Sequence, residues 1–329
     1  MNRVSRHRLC SLLVLLVAAL SPLQATGQQD YPNRPIRLMV GYAAGGLGDV
    51  LARIVAERLG SRLGQPVIVE NRLGAGGTIS AAYVAKAAPD GYTLMQGAAA
   101  EMTYAVSTVG PKLPYDPVRD FAPITLLNIS PLVLVVNPAS GFTTVKQLID
   151  HGRANPGKLN YASFGNGSSS HFAAEMFKAA AGLDMVHVPL KGSAPAMQEV
   201  LAGRVDLLFD TVANSLPQIR AGKLIALAVT TPERAIAIPA VPSFKEIGMP
   251  AVELAPWAGM FAPAGTPAPI IARINREVRE LLQQPELRDR LSAMSADPVP
   301  GTPEELGARV KAEVARIARV ASEAKLKFE

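Results

Sequence analysis

Apolar and polar positions along this chain follow a repeating pattern. Short apolar runs of strand length, such as Ile36-Arg37-Leu38-Met39-Val40, Val67-Ile68-Val69, Tyr92-Thr93-Leu94-Met95 and Leu159-Asn160-Tyr161-Ala162, are followed by turns or small-residue loops and then by segments with helical spacing. In residues 49–62, Val50, Leu51, Ile54, Val55 and Leu59 share one side of a helix, while Arg53, Glu57, Arg58 and Arg62 share the other. Gly64 is placed to end that helix. Strand, loop and helix repeating in this order predict an α/β fold built from right-handed βαβ units, with both sheet faces covered.

The pattern continues to the C-terminal end. It predicts helices over 79–88, 145–154, 172–181, 195–202, 269–282, 286–294 and 303–321, and strands over 186–189, 205–209, 224–229 and 257–261. The long β-branched and leucine-rich run 124–136 is the candidate for a crossing into a second lobe. No repeat of solenoid period and no low-complexity linker interrupts the pattern, so the two lobes are expected to be closely joined.

The N-terminal 27 residues stand apart. Arg3, Arg6 and Arg8 precede an apolar run over residues 9–20, then Ser21-Pro22 and the small residues Ala25-Thr26-Gly27. This is the pattern of a secretory signal peptide, cut after Gly27 or alternatively after Ala25. Twelve apolar residues fall short of the roughly 20 that a membrane helix needs. The single cysteine, Cys10, lies inside this leader, so the mature chain has no disulfide, thiol nucleophile or lipid-anchoring cysteine.

Removing three arginines lowers the formal charge from +6 to 6 − 3 = +3, with no basic stripe, and aromatics are 5% of the chain. Nucleic-acid binding is therefore not expected. About 300 mature residues, 49% hydrophobic and 18% charged, fit a two-lobe globular protein.

Candidate chemistry gathers in small-residue loops. In Gly41-Tyr42-Ala43-Ala44-Gly45-Gly46-Leu47-Gly48-Asp49 the glycines match neither the spacing of a dinucleotide loop nor the Gly-Lys-Ser/Thr ending of a P-loop. The loop is either a tight turn or a place where backbone N–H groups meet an anion at a helix start. Asp49 either favours the helix dipole or accepts hydrogen bonds from a ligand, although its charge would repel a bare carboxylate. A second glycine loop, Gly74-Ala75-Gly76-Gly77, follows the next strand.

The loop Ser163-Phe164-Gly165-Asn166-Gly167-Ser168-Ser169-Ser170-His171 opens another helix. Its serines and His171, with Asp206 or Asp210, raise the alternative of a secreted serine hydrolase, although Gly-x-Ser-x-Gly is absent. Serines at a helix start otherwise serve as caps and anion ligands. His187 reads as a packed strand histidine and Trp257 as a core residue. The histidine spacing supports no metal site, and no cofactor is expected.

With Tyr31-Pro32, Ala44-Gly45-Gly46, Asp49, Val69-Glu70-Asn71-Arg72, Gly74-Ala75-Gly76-Gly77, Asp90-Gly91-Tyr92-Thr93-Leu94, Tyr115-Asp116-Pro117, Asn155-Pro156-Gly157-Lys158-Leu159, Gly165-Asn166-Gly167-Ser168-Ser169-Ser170-His171, His187-Val188-Pro189, Lys191-Gly192 and Pro263-Ala264-Gly265-Thr266-Pro267 in order, the chain resembles the Bug family. These are the periplasmic solute receptors of tripartite tricarboxylate transporters.

The resemblance implies a two-lobe periplasmic-binding fold of type II, each lobe a mostly parallel sheet flanked by helices, joined by two crossover segments. Residues 28–125 and 233–329 would form one lobe and 126–232 the other. It implies no enzyme activity, but a monomeric periplasmic receptor closing on a small organic anion for uptake through membrane components or for a sensor. The carboxylate would be held by backbone, small side chains and water.

Carried over by position, Gly41, Tyr42, Ala43, Ala44, Gly45, Gly46 and Asp49 would face Ser163, Gly165, Asn166, Gly167, Ser168, Ser169 and His171 across the cleft, with Asp210 at the rim. Two departures, Gly97-Ala98-Ala99-Ala100 and Leu190, imply a less polar wall. That wall would suit an aromatic or aliphatic acid, or an amide.

Overall fold

The computed structural model describes residues 31–293 and 295–323. The expected signal peptide, with Cys10, lies outside the described residues. Residues 1–33 form one unit, of which Tyr31, Pro32 and Asn33 are described, with a cis peptide before Pro32. Residues 34–329 form the other unit.

The second unit begins with β1 (Ile36–Val40), α1 (Leu47–Leu63), β2 (Val67–Asn71), α2 (Thr78–Ala85) and β3 (Thr93–Ala98). A π-turn, Ala100–Tyr104, runs into the short α3 (Ala105–Thr108), and β4 (Phe121–Ile129) follows. Next come β5 (Leu132–Val136), α4 (Val145–Ala154), β6 (Leu159–Ser163), α5 (Ser169–Ala181), β7 (Met185–Pro189), α6 (Ser193–Leu201), β8 (Leu207–Thr211), α7 (Val212–Arg220) and β9 (Ile225–Val229). The chain then returns through β10 (Trp257–Pro263), α8 (Ala268–Leu282), α9 (Pro285–Ala293), β11 (Asp297–Pro298) and α10 (Pro303–Glu323).

Two sheets result, ordered β11-β4-β10-β3-β1-β2 and β7-β6-β8-β5-β9. Taken from β2 and from β7, the order is the same: second strand, first, third, a strand arriving from the other lobe, then fourth. The incoming strands, β10 and β5, run antiparallel to both of their neighbours. Among the described strands, the pairs β1–β2, β1–β3, β6–β7 and β6–β8 are the parallel ones. Most strands of each sheet share one direction, as expected, and the sheets are mixed because a strand that has crossed between lobes enters from the opposite end. The parallel strands keep their carboxyl ends on one edge, where the small-residue loops gather.

Alternation along β5 divides the second lobe's core. Leu132, Leu134 and Val136 pack with Tyr161, Phe172, Phe177, Phe209 and Phe244 on one face. Val133 and Val135 pack with Leu208, Val212 and Leu216 on the other. A strand buried on both faces reads as a continuous apolar run, which is why 132–136 carries no polar residue.

The run 124–136 is broken at Ser130-Pro131. β4 stays paired in the first sheet to Ile129, beyond the expected change of lobe after residue 125. The return is the long segment 230–256, and the two crossings are hydrogen-bonded together. Ser130 N–H donates to Pro256 O at 2.8 Å, Thr230 N–H to Leu132 O at 2.9 Å, and the Thr230 hydroxyl to Leu254 O at 2.6 Å. Thr230 is fully buried.

Thr230→Val keeps the shape but strips Leu254 O of its hydroxyl donor. A buried acceptor left bare costs about 1–3 kcal/mol, so the urea midpoint should fall accordingly without a change in slope.

Candidate functional site

The loop between β1 and α1 approaches the second glycine loop backbone to backbone. A Cβ built on Gly41 would lie 2.6 Å from Gly77 Cα, so neither position admits a side chain without displacement. Gly45 adopts φ +84°, a left-handed conformation that glycine enters without a steric penalty. Gly46 begins α1 in extended conformation, with no side-chain cap. Ala43 and Ala44 are exposed at the loop's tip.

Asp49 is buried and braces this loop. Its Oδ2 accepts from Gly45 N–H at 3.0 Å and Arg53 Nε at 2.9 Å, and its Oδ1 accepts from Asn71 Nδ2 at 2.8 Å. Asn71 also donates to Tyr42 O at 2.9 Å and accepts from Arg53 at 3.0 Å. The Arg53 guanidinium, helped by Gly45 and Asn71, pulls the Asp49 carboxyl down to about 2. The acid expected to meet a ligand therefore has its oxygens engaged by its own loop, by Asn71 and by Arg53.

The second glycine loop is a run of positive φ: Gly74 +126°, Ala75 +47°, Gly76 +62° and Gly77 +94°. Ala75, which carries a Cβ, is the strained member. Gly77 packs on Glu101 of the π-turn, and a Cβ there would lie 2.8 Å from Glu101 Oε2. Glu101 is 1% exposed. The Tyr42 hydroxyl donates to its Oε2, and Ala98 N–H donates to its Oε1 at 2.7 Å. Burial, against these hydrogen bonds, pushes the carboxyl up to about 7. The run 97–100, expected to make the wall apolar, thus ends by turning a carboxyl back onto Ala98. Beside it, Gln96 donates to Gly48 O at 2.8 Å, while its Oε1 is buried without a hydrogen-bond partner among the described residues.

In the second lobe, Ser168 caps α5: its Oγ accepts from His171 N–H at 3.3 Å and donates to Gly165 O at 2.7 Å. Ser169 opens the helix behind it, and Ser170 donates to Phe209 O at 2.6 Å. His171 Nδ1 accepts from Gly167 N–H at 3.1 Å. The hydroxyls of Ser168 and Ser170 thus donate to backbone carbonyls rather than to a histidine.

Behind the loop, the rings of Tyr161, His187 and His171 form a column, with centroids 4.8 Å and 4.0 Å apart. Ser163, fully buried, pairs through Oγ with His187 Nε2 at 2.7 Å. Burial holds His171 down to about 3, with the neighbouring His187 and Lys178 adding to the shift. Burial also lowers His187.

Asp210, expected at the rim, is fully buried. Its oxygens accept from Ser193 at 2.8 Å, Thr211 N–H at 2.7 Å and Ser215 at 3.1 Å, so it ties the starts of α6 and α7 together. Burial pushes its carboxyl up to about 6.

Two further approaches bring the lobes together. Gly76 comes within 4.0 Å of Asn166 O, measured from a built Cβ, and the same construction at Gly167 reaches 3.1 Å from Thr108 Oγ1. The loop 163–171 therefore lies against the second glycine loop and α3. The first glycine loop also borders α7, across a crevice of 380 Å³ that Gly45, Leu47 and Val50 line on one side and Ala213, Asn214 and Arg220 on the other. Tyr104 stacks on Phe172 across the same junction at 5.2 Å.

Sequence reasoning named the loops but missed Glu101, Asn71, Thr108, Ser193 and Asn214. The signal for Glu101 was present, as a lone acid inside the apolar stretch 97–106.

Asp49→Asn should lower stability at pH 7 by about 1–2 kcal/mol, a figure discounted because Arg53 is half exposed. A depressed acid stabilises above its unfolded value of 3.8 and loses that stabilisation as pH falls toward 2. The loss between pH 4 and 2 should therefore be smaller in the variant than in the wild type, by urea titration at each pH.

His171→Asn keeps an acceptor for Gly167. An unfolded histidine binds a proton near 6.5 that the stacked ring takes only near 3, so this group contributes stability above 6.5 and loses it on acidification. The slope, at most about 1.4 kcal/mol per pH unit, should be shallower in His171→Asn between pH 6.5 and 4.

Comparison with known proteins agrees with this architecture. Residues 51–326 match the family described as tripartite tricarboxylate transporter family receptor. The chain is 36% identical to BugT of Bordetella pertussis over 322 residues, covering 97% of this chain and 99% of that protein. A protein of R. palustris solved with adipate superposes with a TM-score of 0.84 at 36% identity, covering 90% of this chain and 99% of the other. The periplasmic binding protein BugD superposes at 0.83 with 34% identity, covering 91% and 100%. The matched family is described as a receptor and BugD as a periplasmic binding protein, and nothing in the comparisons supports a hydrolase. The chain belongs to the tripartite tricarboxylate transporter receptor family.

Proposed function

We propose that this protein is a periplasmic receptor that binds a small organic carboxylate between its two lobes and delivers it to membrane components of a tripartite transporter. One observation carries the reading. The starts of α1 and α2 are glycine-capped without side-chain acceptors, and they lie where the lobes meet. The uncapped first turns and positive dipole ends of these two helices favour an anion there.

The adipate held by the R. palustris relative supports a carboxylate as the solute class. The loops 41–46, 74–77 and 163–169 are the proposed contacts, with Tyr42 and Asn166 among the side chains. Asp49, His171 and Asp210 hold those loops in place. The signal peptide pattern supports export, and no helix among the described residues is long and apolar enough to cross a membrane.

The test is a melting and calorimetric screen with adipate, malate, benzoate and benzamide. At a hundred times Kd a true solute stabilises by about 2.7 kcal/mol, which raises the melting temperature by several degrees. Gly46→Leu should abolish the shift while the ligand-free protein melts normally, because Gly46 has negative φ and a Cβ there meets nothing nearer than 3.5 Å. Binding undiminished in Gly46→Leu, or no acid bound at all, would refute the reading.

A further inference from the structure

We propose that Glu101 makes solute binding proton-linked: the anionic solute is bound by the form whose Glu101 carboxyl is neutral, so closure on the solute takes up one proton from solvent. This rests on the carboxylate reading of the cleft and adds a specificity-determining residue to it.

The geometry encloses Glu101 completely. Gly77 covers one oxygen without a side chain in between, and the Tyr42 hydroxyl and Ala98 N–H supply hydrogen bonds. The Tyr115 hydroxyl donates to the Glu101 backbone carbonyl at 2.6 Å, not to its side chain. Among the described residues, no cation is paired with the carboxyl.

The elements around the π-turn do not change this. α2 carries no charged residue and α5 brings Phe172 onto Tyr104. Glu313, Arg316 and Arg309 of α10 act on Tyr104, the next turn along. In the first glycine loop, the Asp49 charge is matched by Arg53.

Glu101 therefore sits one backbone layer behind the proposed anion site with neutral donors alone. A negative solute in front of Gly77 and Tyr42 repels an ionised Glu101 through a poorly screened interior. Protonation relieves that repulsion and keeps both hydrogen-bonded contacts, because a neutral carboxyl still accepts through one oxygen and can share its proton with Tyr42. The proton forms an O–H bond on Glu101 and comes from the buffer. Burial already holds the free carboxyl near 7, where such uptake operates at ordinary pH.

The experiment has a ligand-free arm and a binding arm. Glutamate carboxyl carbons are labelled with carbon-13 and titrated by NMR in the wild type, Glu101→Gln and Tyr42→Phe. One resonance should titrate near 7 in the wild type, vanish in Glu101→Gln and move to higher pH in Tyr42→Phe, which loses a donor that favours the charged form. A wild type whose glutamates all titrate near the ordinary value would overturn the proposal.

In the second arm adipate, or whichever panel acid binds most tightly, is measured at pH 6 and pH 8. Wild-type affinity should fall by up to about tenfold between the two, with proton uptake visible in buffers of different ionisation enthalpy, while Glu101→Gln should bind alike at both. Equal pH dependence in the two proteins would sink the linkage. Failure of every acid to bind at either pH would instead sink the receptor reading, and the NMR midpoint would stand apart from it. If Glu101→Gln does not fold, the Tyr42→Phe midpoint decides.

Discussion

Two backbones touch at Gly41 and Gly77, and the first lobe's half of the cleft depends on that contact. A methyl group at either place would drive the loops apart or press on Glu101. Since no side chain fits between them, the strands β1 and β2 can feed two helix starts into one small volume. Small residues there create the site by what they leave out. The brace of Asp49, Asn71 and Arg53 then holds the first loop from the other side, which lets a chain with an exposed loop tip keep a fixed shape.

Acids surround the cleft proposed for an anion, and the protein handles their charge in two ways. Asp49 keeps its charge but shares it with a guanidinium, one loop N–H and the Asn71 amide. Glu101 and Asp210 are withdrawn from water, which shifts both toward the neutral acid. Neither buried acid has a cationic partner among its described hydrogen bonds. Their hydrogen bonds come from hydroxyls and backbone, which orient the oxygens without adding positive charge.

Much of the fold could be read from local pattern. The spacing of Leu51, Ile54, Val55 and Leu59 gave α1, and the small-residue loops marked the carboxyl edges of the strands. Strand direction could not be read, because whether β5 and β10 run parallel or antiparallel depends on crossings that no local run encodes. Helix α7 lies outside the predicted helices: Asn214, Ser215 and Pro217 are weak helix formers, and the Thr211 cap together with the burial of Val212 and Leu216 holds it. The site was legible as loops but not as partners. Tyr42 and Glu101 are 59 positions apart, and Ser193 and Asp210 are 17 apart, so their pairing is a product of the sheet order. Which loop meets which likewise depends on how the sheets are set together, so the approach of 74–77 to 163–171 and of 45–50 to α7 carried no local signal.

Trp257 stands where the long return crossing becomes β10, with its indole N–H donating to the buried Glu313 of α10 and its ring against Phe261. It is the sequence's single tryptophan. The molecule thus carries a built-in fluorophore, buried where the return crossing re-enters the first sheet, readable without any added label.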